Sequence, residues 1–160
     1  MEKDYKYYLD NGIFEFRNGS FEAALENFNK SIDLKNDFEV SYFYRGVAHQ
    51  ALRNFDEAML DYTKALSLNP KMVDAYYNRA KIILERKDII NADISDAVKN
   101  LEKALELDDK FVDALFAMAA AKKKLAQYEE ALTYLDRVLE LEPEAVHARA
   151  FKKLLLQKYL

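Results

Sequence analysis

Few side chains in this sequence could do acid–base, nucleophilic or metal chemistry. Its two histidines, His49 and His147, stand far apart in a chain without cysteine, so there is neither an imidazole pair at helical spacing nor a thiolate set to hold a transition metal. The five serines are Ser20, Ser31, Ser41, Ser67 and Ser95, and none sits in the Gly-x-Ser-x-Gly elbow that exposes a nucleophile. There is no glycine-rich loop to cradle a phosphate. The adjacent carboxylates Asp108 and Asp109 close a helical segment before Lys110 and read as solvated turn residues. A non-enzyme with no metal and no cofactor is expected. His49 falls on a face that should pack against its neighbouring helix, which predicts a core histidine with its hydrogen bonds satisfied. What remains is binding, and aromatic, aliphatic and small residues at regular spacing would carry it.

The elements that must position those residues are helices. The chain has 160 residues and 18.7 kDa, with 51% hydrophobic residues, 3 Gly and 2 Pro, too few turn formers for a many-stranded sheet. One all-α domain spanning residues 1–160 is expected. The longest apolar run, Ala114 to Ala121, ends at Lys122 and is too short to cross a bilayer. The charged N-terminal residues do not resemble a secretory signal, and the lack of cysteine suits a reducing compartment, so the expected location is cytoplasmic. With 24 basic against 28 acidic residues and a pI near 5.3, no basic patch for nucleic acid is expected. Residues 144–160 hold four basic residues against one acidic, a balance common on a solvated helix face.

An internal period organises the helices. Tyr42 and Tyr76, Phe21 and Phe55, Ala24 and Ala58, Phe28 and Tyr62, and Leu34 and Leu68 lie 34 residues apart, and Ala97 to Ala131 and Leu101 to Leu135 repeat the step. Ala58 to Ala97 is 39, which places five inserted residues within Glu85 to Asp93, lengthening the first helix of the third repeat or its turn. Each repeat reads as an aromatic-rich first helix, a short polar turn and a second helix in which small and large residues alternate at helical spacing. Ser20, Asn54 and Asp93 are expected to cap the second helices with their side chains, and Pro70 and Pro143 to follow the ends of others. The repeats fall at about 5–37, 38–71, 72–110 and 111–144, with a last helix at about 144–159. On that helix Val146, Ala150 and Leu154, with Phe151, Leu155 and Tyr159 beside them, form an apolar face expected to cap the stack, while Lys152, Lys153 and Lys158 keep it soluble.

The segment from Tyr42 to Ala48, with Asn54-Phe55-Asp56-Glu57-Ala58 and the run from Asp61 to Pro70, resembles the tetratricopeptide repeat family almost residue for residue. Leu115, Ala119, Ala131, Leu135 and Pro143 supply the matching places of the fourth repeat. Asn36 and Asp109 replace the closing proline, and Glu15 and Lys122 stand where an apolar residue is usual. The resemblance implies an all-α, right-handed α–α superhelix, a solenoid of four helix pairs plus a C-terminal capping helix. It also implies a scaffold that holds peptides or protein segments in a concave groove.

One stripe of each first helix is needed to meet its own second helix: Tyr8 and Gly12, then Tyr42, Gly46 and His49, then Tyr76, Ala80 and Ile83, then Leu115 and Ala119. The stripe one residue further on is rotated by about 100° and should face the groove. It comprises Leu9, Ile13 and Phe16, then Phe43 and Val47, then Tyr77, Lys81 and Leu84, then Phe116 and Ala120. Asp74, Asn78 and Asp113 flank it as a rim. Phe43 and Tyr77, 34 residues apart, are expected side by side. One version of the family grips a C-terminal carboxylate with Lys, Asn and Arg, but the corresponding residues here are Leu9, Ile13, Tyr44, Asp74 and Asn78, so the resemblance implies no such clamp. The expected partner is a protein or peptide with an apolar or amphipathic segment, basic at its edges. The alternative is a self-assembling structural protein whose groove or terminal helix receives another copy.

Overall fold

The computed structural model describes residues 3–86 and 90–159, and only the backbone of Asn91 and Ala92. These residues form nine α-helices and no strand: α1 (Tyr5–Arg17), α2 (Phe21–Leu34), α3 (Glu39–Ala51), α4 (Phe55–Leu68), α5 (Val73–Glu85), α6 (Asn91–Leu107), α7 (Val112–Lys124), α8 (Tyr128–Leu141) and α9 (Val146–Lys158). The chain divides into two compact units, residues 1–75 and 76–160, with the boundary inside α5.

In the first unit the period becomes a steric pattern. A Cβ added to Gly12 would overlap the ring of Phe28, and one on Gly46 would lie 2.8 Å from Cε1 of Tyr62. Both rings are fully buried, so each large side chain of a second helix lies against a first helix where there is no side chain at all. The core continues through Leu9, Ala24 and Ala48, with Ile13, Phe16 and Tyr44 packed against it, and through Ile32, Tyr42 and Ala65. The buried polar side chains Ser31, Ser41 and Asp61 are paired. Ser31 donates to the Tyr5 carbonyl at 2.8 Å, so the 2.7 Å bond between Ser31 and Ser41 has the Ser41 hydroxyl as donor. Arg45 on α3 donates to both carboxylate oxygens of Asp61 on α4, at 2.9 and 2.7 Å, and to Oδ1 of Asn29 on α2 at 2.8 Å. One guanidinium thus joins three helices.

The second unit solves the same packing problem with different sizes. Ala119 and Leu135 stand where the first unit has Gly46 and Tyr62, and both are fully buried in a cluster with Leu115, Ala131, Val138, Ala148 and Leu155. The capping face of α9 differs from the expected one. Ala148 and Leu155 are buried with Phe151 and Tyr159 packed beside them, Tyr159 stacking on Tyr128 at 4.4 Å, whereas Val146 is 68% exposed, Leu154 is 43% exposed and Ala150 is exposed. The spacing 148, 151, 155, 159 keeps one line along a helix of 3.6 residues per turn, and the line through 146, 150 and 154 lies on another side.

The turns inside the first, second and fourth repeats share one backbone shape. Gly19, Arg53 and Ala126 all have φ between 59° and 79°, and the N–H groups of Ser20, Asn54 and Gln127 reach back to the carbonyls of Glu15, His49 and Lys122 at 2.9 Å. This is the Schellman ending of a helix, which saves orphan carbonyls and requires one left-handed residue. The expected side-chain caps are corrected accordingly. Ser20 and Asn54 do occupy N-cap positions, but neither side chain accepts a bond, and Asp93 sits at the third position of α6, accepting from the Ile90 N–H at 3.3 Å. The insertion also differs from expectation, because α5 has the same 13 residues as α3. α6 has 17 residues where α4 has 14, so three of the five extra residues extend the start of the second helix. The rest of the insertion falls on the connection, where residues 87–89 lie outside the described residues. Pro70 and Pro143 each stand two residues past a helix end, as expected.

Gly46→Ala should cost roughly 1–2 kcal/mol in urea denaturation, overpacking against Tyr62 outweighing the better helix propensity of alanine, and adding Tyr62→Leu should recover part of the loss. Ala126→Gly should act in the opposite direction. Relief of about 1–2 kcal/mol of left-handed strain exceeds the added unfolded-chain entropy, so melting should rise by about 1–4 °C.

Candidate functional site

The stripe residues of the first unit are placed by α1 and α3. Leu9 is buried within the core between Ala24, Phe28 and Ala48, and so offers no surface for a ligand. Ile13 and Phe16 are half-buried against the same cluster, with the Phe16 ring 5.3 Å from that of Phe21. Phe43 is half-buried, 5.4 Å from the ring of Tyr44 and 5.8 Å from that of Tyr62, and Val47 one turn later is half-buried too. The exposed part of Phe43 is therefore braced by the buried ring of Tyr62. Asp74, in the first turn of α5, is exposed.

In the second unit Tyr77 packs on Phe111, the residue before α7, with ring centroids 5.1 Å apart. Burial pushes the Tyr77 hydroxyl above its ordinary pKa, and the charges of Asp113 and Glu85 add to the effect. Asn78 and Leu84 are half-buried on α5, and Lys81 is exposed with its ammonium 4.0 Å from Glu85. Ala120 is half-buried on α7, and Phe116 meets Phe151 of α9 edge-on at 5.8 Å.

Beside Phe116 lies an open cleft of about 450 Å³. α7 contributes Val112, Asp113 and Phe116 to it. Val138 and Glu142 come from the end of α8 and just past it, and Ala145, His147 and Ala148 from the start of α9. Its floor is apolar, and its edge carries the carboxylates of Asp113 and Glu142. Among the described residues neither has an ion-pair or side-chain hydrogen-bond partner. Sequence reasoning supplied Phe116 and Asp113 and missed Val138, Glu142, His147 and Ala148. The available signal was Pro143, which ends α8 and so brings residues on either side of it to the same place. Among the described residues, no group of three His, Asp or Glu side chains could hold a metal ion, and no helix is long and apolar enough to cross a membrane.

Models of the tetratricopeptide repeat match residues 40–72 and 89–155. The TPR repeat-containing protein MJ1428 of Methanocaldococcus jannaschii is 25% identical over 134 residues, covering 82% of this chain and 22% of that protein. Sperm-associated antigen 1 of Mus musculus is 39% identical over 93 residues, 57% of this chain and 9% of its own length. The chain thus spans about a fifth or less of the length of these relatives. Among solved structures, MamA superposes with a TM-score of 0.86 at 16% identity, covering 98% of this chain and 83% of the other. YrrB, described as a TPR protein with an unusual peptide-binding site, gives 0.81 at 19% identity, covering 97% and 77%. At these identities the likeness establishes the fold, an all-α helical repeat.

His49, near the end of α3, departs from the expected satisfied core histidine. It is half-buried, and its Nδ1 has no hydrogen-bond partner. Burial holds its pKa below the ordinary 6.5, the neighbouring Arg45 charge acting in the same direction and the Asp61 and Glu57 carboxylates opposing it. The unfolded chain therefore takes up the proton first. The contribution of His49 to stability is complete above about pH 6.5 and is lost as pH falls through the lower folded value. Urea midpoints measured between pH 7.5 and 5 should fall on acidification, and His49→Gln should flatten that part of the profile.

Proposed function

Because the chain belongs to the tetratricopeptide repeat family, we propose that it acts as a non-enzymatic scaffold that holds an apolar or amphipathic segment of another protein against the stripes of its first helices. Tetratricopeptide repeats mediate protein–protein interaction, so the class of partner is protein. The observation that carries the finer reading is the set of half-buried aromatic residues, Phe43, Tyr77 and Phe116, each braced by another ring and each keeping part of its surface open. A braced aromatic side chain loses little entropy on binding, and such anchors carry most of the affinity of protein interfaces. The peptide-binding site of YrrB, a structure of the same fold, is consistent with this use. The proposed surface comprises Ile13, Phe16, Phe43, Val47, Tyr77, Lys81, Leu84, Phe116 and Ala120, with Asp74, Asn78 and Asp113 at its rim. A single domain of four repeats in the cytoplasm is part of the same proposal.

The second reading, assembly with further copies of the chain, draws support from α1, on which Tyr7 is 42% and Phe14 61% exposed. Sedimentation over a concentration series separates the two, since a stable monomer supports the scaffold and concentration-dependent growth supports assembly. The partner segment, captured from lysate of the native host and mapped by peptide array, should lose at least about thirtyfold in affinity to Phe43→Ala with Tyr77→Ala, while Asp74→Ala changes it modestly and in a salt-dependent way. Wild-type affinity in a double variant with full helical circular dichroism would falsify the assignment of these stripes.

A further inference from the structure

We propose that the cleft between α7, α8 and α9 selects a cationic side chain, a lysine or arginine of the bound segment lying beside an apolar residue of that segment. The inference rests on the scaffold reading above and names the chemistry of the segment. Charge matching carries it. Some exposed carboxylates elsewhere in the chain have a lysine partner: Asp37 with Lys35 at 3.0 Å, Asp96 with Lys99 at 3.0 Å, Glu106 with Lys103 at 2.6 Å and Glu130 with Lys122 at 2.7 Å. Asp113 and Glu142 have no such partner among the described residues, and both stand at the edge of the cleft. Two cations of α9 are committed elsewhere, Arg149 to Glu144 at 2.8 Å and Lys152 to Asp136 at 2.6 Å. The negative edge is therefore left for a charge brought from outside.

The floor decides which cation fits. Val112, Phe116, Val138 and Ala148 line it, so a small hydrated ion would give up water to a surface that offers it no ligand in return. Lysine and arginine carry an apolar stem with a charged head, and they lay the stem on apolar surface while the head stays at the wet edge. An acidic side chain would meet the two carboxylates, and a wholly apolar one would leave them unmatched. The volume of about 450 Å³ leaves room for the neighbouring apolar residue of the same segment.

The full chain is titrated, by amide chemical shifts in nuclear magnetic resonance, with blocked ten-residue peptides built on one alanine-leucine frame whose two variable positions are lysine, norleucine or glutamate. The lysine peptide should shift the amides of Val112, Phe116 and Ala148, bind at least about tenfold more tightly than the norleucine peptide, and lose that advantage at 0.5 M salt, where exposed charges are screened beyond roughly 4–5 Å. Asp113→Asn with Glu142→Gln, near-isosteric changes at exposed positions, should abolish the advantage and leave the circular dichroism unchanged. Asp113→Lys with Glu142→Lys should turn the preference to the glutamate peptide. Equal binding of the lysine and norleucine peptides, a glutamate preference in the wild type, shifts confined to other residues, or no binding by any peptide at millimolar concentration overturns the inference. The scaffold reading fails separately, through the Phe43→Ala with Tyr77→Ala variant and the mapped partner.

Discussion

Two helices can cross closely only where one of them gives up its side chains, and the packing inside this chain is arranged around that limit. Phe28 and Tyr62 are accommodated because Gly12 and Gly46 present bare backbone to them, and the same place in the fourth repeat is filled by Leu135 against Ala119. Total volume at the crossing is kept while its division between the helices changes. Once the crossing is set, the residue after each small one points away from the partner helix, which is how Ile13, Val47 and Ala120 come to lie beside the core instead of inside it.

The same arrangement separates the residues that hold the chain together from those free to meet a partner. Arg45, Asp61, Ser31 and Ser41 are polar groups spent inside the first unit, each matched by a donor or acceptor. Phe43 and Phe116 belong to both classes, being anchored on one side by Tyr62 or Phe151 and open on the other. A binding surface made from such residues is rigid before any ligand arrives, which lowers the ordering cost of association.

The fold was legible in the sequence because its information is periodic. The 34-residue step, lengthened once to 39, located the second helices through Ala24, Ala58, Ala97 and Ala131, all of them fully buried. The details that escaped are set by backbone geometry or by residues distant in sequence. Arg53 and Ala126 adopt the conformation that Gly19 adopts, and nothing in their side chains announces it, because the turn is fixed by the hydrogen bonds that close the helix. The apolar residues of α9 allowed two faces, and α8, through contacts with Ala148 and Leu155, determines which is covered. Leu9 was assigned to the outer stripe by rotation alone, but it falls close enough to Ala48 of α3 to be enclosed. The cleft beside Phe116 was half legible, since Glu142 and His147 lie outside the first-helix pattern from which the stripe was read.

Arg45 has a consequence for how the first unit opens. In a chain of stacked repeats each helix pair can in principle melt alone, with an energy made of its own stability and a coupling to its neighbour. The guanidinium is held by Asp61 of its own repeat and also bonds Asn29 of the one before, so release of the first repeat costs a hydrogen bond to a charged donor while the ion pair inside the second stays intact. That bond adds to the coupling between the two repeats beyond their apolar packing, while the ion pair with Asp61 adds to the intrinsic stability of the pair α3 and α4.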